Sequence, residues 1–261
     1  MKKRILSLCL VGILSFIPVG CAQNKAKETK GTKPVEIYLT RHGKTMLNTT
    51  DRMQGWCDAP LTEAGIEVAE YLGKGLDAEG IKFDAAYSSD SGRAIETANI
   101  VLDKSGQPDL KVNQSKYLRE VSFGIYEGEK TETAWAEVAK ANNMTFEEFM
   151  DTFDMPRNLD MNAKMPENDM AESSEELANR VKPAMDKIAK ETEDNGGGKV
   201  LIVSHGITIM SFLEQIAPGS TEELISGLKN ASVCKVVYQD GKYTVESVND
   251  MSYVEKGKSE K

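Results

Sequence analysis

Apolar residues recur along this chain in two rhythms, and the rhythms alternate. Residues 35–39 (VEIYL) and 199–203 (KVLIV) are short, dense apolar runs that read as buried strands. Between them, Leu61, Val68, Leu72 and Leu76 recur at helical spacing, which predicts a helix with one buried face. Thr62 stands where it can cap that helix, and Glu63 favours the positive end of the helix dipole. A short strand is expected near 83–87. Ser88, Ser89 and Asp90 then lead into a second helix with Ile95, Ala98 and Leu102 inward, and Val112 marks a further strand. Strands alternating with helices predict an α/β fold, a three-layer α/β/α domain over 35–254 with a mostly parallel sheet.

Residues 129–170 break the rhythm. Trp135, Phe146, Phe149, Met150, Phe153 and Met155 stand among acidic residues, and the stretch closes on the polar run NLDMNAKMPENDM (158–170). This reads as a mainly helical, cap-like insertion over the site, ending in a loop. Its aromatic and Met residues are expected to pack the insertion itself, with a substrate pocket as the alternative. Ser173 and Glu176 then form a capping box, and Leu177, Val181, Ala184 and Ile188 give a helical stripe. Pro183 interrupts that stripe, and an interior proline costs a helix about 3 kcal/mol, so a kink or a shortened helix is expected. Ile209, Phe212, Leu213 and Ile216 form another helix face. Strands at 233–238 and 244–248 flank Asp240-Gly241, the residue pair favoured in a type I′ turn, which predicts a C-terminal β-hairpin. The tail 255–261 is charged and is expected to be disordered.

Composition is that of an ordinary globular protein except at the start. Lys2, Lys3 and Arg4 precede an apolar run over 5–17, the pattern of a secretory signal and too short to span a bilayer comfortably. Residues 18–21 (PVGC) resemble a bacterial lipobox, with proline where leucine is usual. The expectation is a lipoprotein signal peptide at 1–20, with Cys21 lipidated as the membrane anchor; plain signal cleavage and secretion is the alternative. Residues 21–34 would form a polar tether with a reach of about 20 Å. The whole chain carries a net charge of −9, and residues 1–20 hold three basic and no acidic residues, so the remainder carries −12. No nucleic-acid partner is expected of such a surface, and any phosphate site must be a local concentration of positive charge. Of the four cysteines, Cys57 and Cys234 lie inside the domain and read as unlinked thiols, with a disulfide between them as the alternative outside the cytoplasm. No His/Cys cluster has zinc-ligand spacing, and neither a metal nor another cofactor is expected.

The chain has only two histidines, and both follow an apolar run and precede a glycine: His42-Gly43 and His205-Gly206. Open α/β sheets bind ligands at the carboxyl ends of their strands. Two imidazoles with nearby arginines suit phosphoryl transfer through a phosphohistidine. Histidine serves as nucleophile near neutral pH, and arginine matches phosphate oxygens with a charged planar fork.

Five motifs stand in order: TRHGKTMLN (40–48), MQGWCDAPLTEAG (53–65), YSSDSGRAIETA (87–98), LREVSFGIYEG (118–128) and VSHG (203–206). Together they resemble the signature of the histidine phosphatase superfamily, whose members include phosphoglycerate mutases and many phosphatases. The resemblance implies that His42 is the nucleophile that becomes phosphorylated, and that Arg41, Arg93 and His205 hold the phosphoryl oxygens. Glu120 matches the general acid that protonates the leaving oxygen, with Glu127 of the same motif as the competing candidate. Gly43, Thr45 and Asn48 match the phosphate loop, and Gln54 and Gly55 the neighbouring binding segment. Arg52 and Arg119 either add positive potential or form surface salt bridges.

The function expected from this is a metal-independent phosphomonoester hydrolase, working outside the cytoplasm on a small phosphorylated substrate. Two alternatives remain open: a phosphoglycerate mutase-type phosphotransferase, and a non-catalytic lipoprotein that binds a phosphorylated ligand. The signal segment and RHGKT, where mutases carry RHGES, favour hydrolysis over the first. Filled pocket positions count against the second.

Overall fold

The computed structural model describes residues 33–224 and 227–260. The proposed signal peptide, Cys21 and nearly all of the tether lie outside them. Six strands form one sheet: β1 (Val35–Arg41), β2 (Ala85–Ser89), β3 (Val112–Ser115), β4 (Gly198–Ser204), β5 (Val233–Gln239) and β6 (Lys242–Asp250). Their spatial order is β3-β2-β4-β1-β5-β6. The first four run parallel, and β5 and β6 are antiparallel additions, so the sheet is mostly parallel as expected. Nine helices accompany it among the described residues: α1 (Met46–Thr49), α2 (Glu63–Ala78), α3 (Gly92–Lys104), α4 (Thr131–Ala141), α5 (Phe146–Asp151), α6 (Met155–Ala163), α7 (Ser174–Asp194), α8 (Gly206–Ile216) and α9 (Ser252–Ser259).

Strand alternation divides the core between the two faces of the sheet. Ile37, Leu39, Val200 and Ile202 pack with residues of α7, α8 and the insertion. Tyr38, Leu201 and Val203 point the other way, into residues of α2, α3 and α9. Three layers follow, since both faces of a parallel sheet must be covered. Thr62 caps α2 by accepting from Gly65 N at 3.1 Å. Ser173 and Glu176 close the capping box that starts α7. Asp240 and Gly241 both have positive φ, as a type I′ turn requires. Cys57 and Cys234 are free thiols.

Three expectations are corrected. The loop expected from residue 158 begins after α6, because Asp154 accepts from Arg157 N at 2.9 Å as N-cap and Pro156 stands in the first turn. The asparagines that made the stretch look loop-like are buried: Asn158, Asn162 and Asn168. Asn168 donates to Asn162 Oδ1 at 3.0 Å, and its Oδ1 accepts from Ile125 N at 2.7 Å. Helix α7 is not shortened by Pro183 but runs 21 residues. Its buried stripe of Leu177, Val181, Met185 and Ile188 outweighs the local cost, with Met185 rather than Ala184 facing inward.

The third correction is the tail. Residues 252–259 form α9, which lies against α2 rather than being disordered. Val254 and Gly257 are buried, while Lys256 turns outward to pair with Glu79. The two helices meet backbone to backbone. A Cβ on Gly75 would stand 1.8 Å from the Tyr253 carbonyl oxygen, and one on Gly257 would stand 1.8 Å from that of Tyr71. Composition reveals charge but not this crossing. Intrinsic propensity alone would make Gly75→Ala stabilising by about 1 kcal/mol. The crossing reverses the sign, and urea unfolding of either Gly75→Ala or Gly257→Ala is expected to show a loss of about 1–3 kcal/mol.

Candidate active site

Strand pairing brings the two histidines together. Strands β1 and β4 are neighbours with Arg41 opposite Ser204, and His42 N donates to Ser204 O at 3.0 Å. Each strand ends one residue before its histidine, so the two rings emerge side by side with centroids 5.2 Å apart. Strand β2, on the other side of β4, leads through residues 90–91 into α3 and delivers Arg93. Both histidines and Arg93 are almost wholly buried.

His42 Nδ1 lies 2.8 Å from the Gly43 carbonyl. A carbonyl only accepts, so Nδ1 carries the proton and Nε2 keeps its lone pair. Arg93 Nε–H reaches that lone pair at 3.3 Å. The Arg93 guanidinium is otherwise held by the carbonyls of Gly55 (2.8 Å), Cys57 (2.9 Å) and Gln54 (3.4 Å), and by Asp58 Oδ1 at 2.9 Å. Arg41 donates through Nη1 to Leu228 O. Its Nε, both nitrogens of His205 and Nε2 of Gln54 are buried without a protein partner. A buried polar group left unpaired costs about 1–3 kcal/mol. With one N–H on a neutral His205 ring, three donors in the segments around His42 are left for the oxygens of an anion: Arg41 Nε, Gln54 Nε2 and one His205 nitrogen.

Burial lowers the pKa of His42 well below its usual value, and the positive charges of Arg93 and Arg41 add to this, against the opposing Gly43 hydrogen bond. His205 is lowered well below its usual value too, by burial first and then by Arg93, His42 and Arg41. Both rings are therefore neutral at neutral pH. Burial also lowers Arg41, and the nearby Glu120 charge opposes that shift.

Glu120 is buried at the start of α8. Its Oε1 accepts from Val121 N, Thr208 N and Thr208 Oγ1, each at 3.0 Å, and its Oε2 accepts from Ile207 N at 3.0 Å. His205 is the N-cap of the same helix. The acid candidate and the second histidine are thus fixed by one helix terminus, where orphan N–H groups favour an acidic partner.

The other candidates sort by their contacts. Thr45 Oγ1 donates to Gln54 Oε1 at 2.6 Å, which orients the amide and leaves Gln54 Nε2 as the free donor. Asn48 Oδ1 accepts from Thr45 N at 3.3 Å and closes a capping box on α1, so its carbonyl oxygen is committed to the loop's own shape. Gly43 N donates to Thr97 Oγ1 at 2.9 Å, and a Cβ on Gly43 would stand 2.4 Å from Gly65 O. Arg119 forms a bidentate pair with Asp90 and lies over the half-exposed Trp56 ring, the salt-bridge alternative. Arg52 donates to Gly128 O at 2.7 Å.

Sequence reasoning passed over several residues. Thr97 stands one turn after Arg93 in a motif already singled out. Asn230 donates to His42 O at 2.9 Å, and Arg180 donates to Glu120 O at 2.8 Å while pairing with Glu172. Neither lies in any of the five motifs, and only the fold brings them in.

Residues 37–251 match the sequence profile of the histidine phosphatase superfamily (branch 1). The chain belongs to this family. Its members are enzymes, mutases and phosphatases among them. This member is similar to the probable phosphoglycerate mutase GpmB of Yersinia pestis (strain Pestoides F), at 31% identity over 228 residues, which cover 85% of this chain and 95% of that one. It is also similar to a solved phosphoglycerate mutase from Bacillus anthracis str. Sterne, at 50% identity and TM-score 0.82, covering 88% and 99% of the two chains. YhfR of Bacillus stearothermophilus matches at 31% identity and TM-score 0.68, covering 84% and 99%. The three-layer fold read from the strand and helix rhythm is the fold of these histidine phosphatase relatives.

With two histidines in the chain, NMR reads the site's protonation directly. Both imidazole signals are expected to stay at their neutral positions from pH 8 to 6, whereas an ordinary histidine titrates near 6.5. Because the folded values lie below the unfolded one, the unfolded chain binds protons first as pH falls. Stability from the neutral rings is present above about pH 6.5 and is lost below it, by up to about 1.4 kcal/mol per pH unit for each ring. Urea unfolding should show that slope between about pH 6 and 5, and His205→Asn should roughly halve the histidine share of it.

Proposed function

We propose that this chain is a phosphomonoesterase that works through phospho-His42. The observation that carries the reading is that Arg41, Gln54 and His205 keep buried nitrogens without a protein partner in the segments beside an imidazole whose Nε2 bears a lone pair, met only by Arg93 Nε–H. In the first step Nε2 forms the N–P bond as the P–O bond to the leaving group breaks. Glu120 passes a proton to the departing oxygen; its Oε2 accepts a single N–H and so retains a position for that proton. Water then attacks phospho-His42, giving its proton to Glu120, and inorganic phosphate leaves. Arg41, Arg93 and His205 hold the equatorial oxygens, where charge spreads in the transition state.

A specific observation favours a second reading: the similar proteins from Yersinia and Bacillus anthracis are named phosphoglycerate mutases. In a mutase the same phosphohistidine passes its group to another hydroxyl instead of to water. The signal-like segment supports hydrolysis, because a Cys21-anchored enzyme outside the cytoplasm would be separated from glycolytic intermediates. RHGKT in place of RHGES supports it further.

His42→Ala is expected to lower kcat on p-nitrophenyl phosphate by at least about 10³-fold, and an acid-free quench should trap phosphate on His42 in the wild type. Label on another residue would overturn the mechanism. No phosphate release at all would leave the phosphate-binding lipoprotein as the reading. Release of inorganic phosphate, compared with a coupled assay on 3-phosphoglycerate, separates hydrolase from mutase.

The anchor has its own test. Cells fed radiolabelled palmitate are expected to label the wild-type chain in the membrane fraction but not Cys21→Ser, and an unlabelled wild-type protein would remove the lipid anchor.

A further inference from the structure

Glu127 was the rival acid, and the structure gives it different surroundings. Its Oε1 accepts from Trp56 N at 2.8 Å and Phe123 N at 2.9 Å. Its Oε2 accepts from Gly55 N at 3.1 Å and Cys57 N at 2.9 Å. A carboxylate offers about four lone-pair positions, and four backbone N–H groups fill them. No position is left from which to hand a proton to a leaving group. Burial and the Glu127 carboxylate also push the Cys57 thiol up to about 12, so Cys57 remains a neutral part of the segment.

The consequence lies on the far side of the same peptides. A trans peptide is planar, with its N–H and C=O pointing in opposite directions. In the peptide joining Gln54 to Gly55, the N–H meets Glu127 and the C=O meets Arg93 Nη2 at 3.4 Å. In the peptide joining Gly55 to Trp56, the N–H meets Glu127 and the C=O meets Arg93 Nη2 at 2.8 Å. Two peptide planes therefore stand between an anion and a cation, with their dipoles aligned from one to the other. Close approach is necessary: a Cβ on Gly55 would stand 2.3 Å from Glu127 Oε1 and 2.1 Å from Val121 O.

We infer that Glu127 is a positioning residue for Arg93: it orients the Gln54 and Gly55 carbonyls that hold the guanidinium, and so aims Arg93 at His42 and the transferred group. This rests on reading the pocket as a phosphoryl-transfer site. Removing the Glu127 charge would free the two peptides to rotate and leave Arg93 held by the Cys57 carbonyl and by Asp58, whose carboxylate is partly exposed. The Phe123 bond extends the effect, since it ties the Arg93 segment to the loop that carries Glu120.

The test is a double-mutant cycle of Glu127→Gln with Arg93→Lys. Vanadate inhibition and kcat/KM are measured on p-nitrophenyl phosphate and on an alkyl phosphate, with Glu120→Gln alongside. Glu127→Gln is expected to lower kcat/KM by about 10- to 100-fold on both esters alike and to weaken vanadate in parallel. In the Arg93→Lys background the added loss should shrink to about 2-fold. Glu120→Gln should instead lose far more on the alkyl phosphate, whose leaving oxygen needs the proton. An equal loss in both backgrounds, or no loss, overturns the inference. A loss confined to the alkyl phosphate makes Glu127 the acid and also overturns it. Should Glu127→Gln fail to fold by circular dichroism, Glu127→Asp keeps the charge but withdraws the oxygens, and the same cycle is read with it. Direct binding of vanadate, followed by its effect on thermal unfolding, reports on Arg93 even in a chain that hydrolyses no ester. Failure of the hydrolase reading is thereby distinguished from failure of this one.

Discussion

The site depends on the parallel pairing of β1 with β4. Those strands are separated by most of the chain, yet one register places Arg41 against Ser204 and lets His42 N–H close on the Ser204 carbonyl. Because β2 flanks β4 on the other side, the carboxyl ends of three adjacent strands open toward one crevice. They supply His42, His205 and, in the first turn of α3, Arg93. A one-residue slip of β4 would turn Ile202 and Val203 to the wrong faces as well as misplacing His205. Core packing and catalytic geometry are therefore enforced by the same ladder of hydrogen bonds.

Charge is managed locally within an acidic protein. Arg41 and Arg93 are brought into a region that also holds two imidazoles, and burial with that positive surround keeps both rings neutral. A neutral ring keeps the lone pair that a nucleophile needs and that imidazolium lacks. The compensating negative charge is set around the pocket. Asp58 touches Arg93 directly, and Glu127 acts across two peptide groups. Backbone dipoles carry much of this arrangement, and they are rigid where side chains are not.

The insertion is coupled to the same region. Trp135 and Phe149 pack into its core, whereas Phe153 and Met150 are exposed. Its polar residues make the connection: Asn168 holds Ile125 N, and Glu172 accepts from Ser122 N at 3.0 Å. Arg180 then joins Glu172 to the carbonyls of Tyr117, Arg119 and Glu120. The segment that bears Glu120 is thus gripped between the insertion and α7. Half-exposed Trp56, its indole N–H on Glu120 O at 3.0 Å, borders that segment.

By itself the sequence determined the layers and most of the pocket. Apolar alternation in 35–39 and 199–203 specifies buried strands whatever their neighbours are, and Thr62, Ser173 and Asp240-Gly241 act through bonds a few residues long. His42, Arg93 and His205 were legible because their motifs are local. What only the tertiary structure decided depends on approach between distant segments. Gly75 and Gly257 turn a charged tail into a packed helix, Asn162 finds its partners inside a helix that composition reads as loop, and Asn230 reaches His42 from the far end of the chain. Two glutamates seven residues apart in one motif look equivalent as letters. They differ because one carboxylate meets the start of a helix beside His205 and the other is filled by the backbone that holds Arg93.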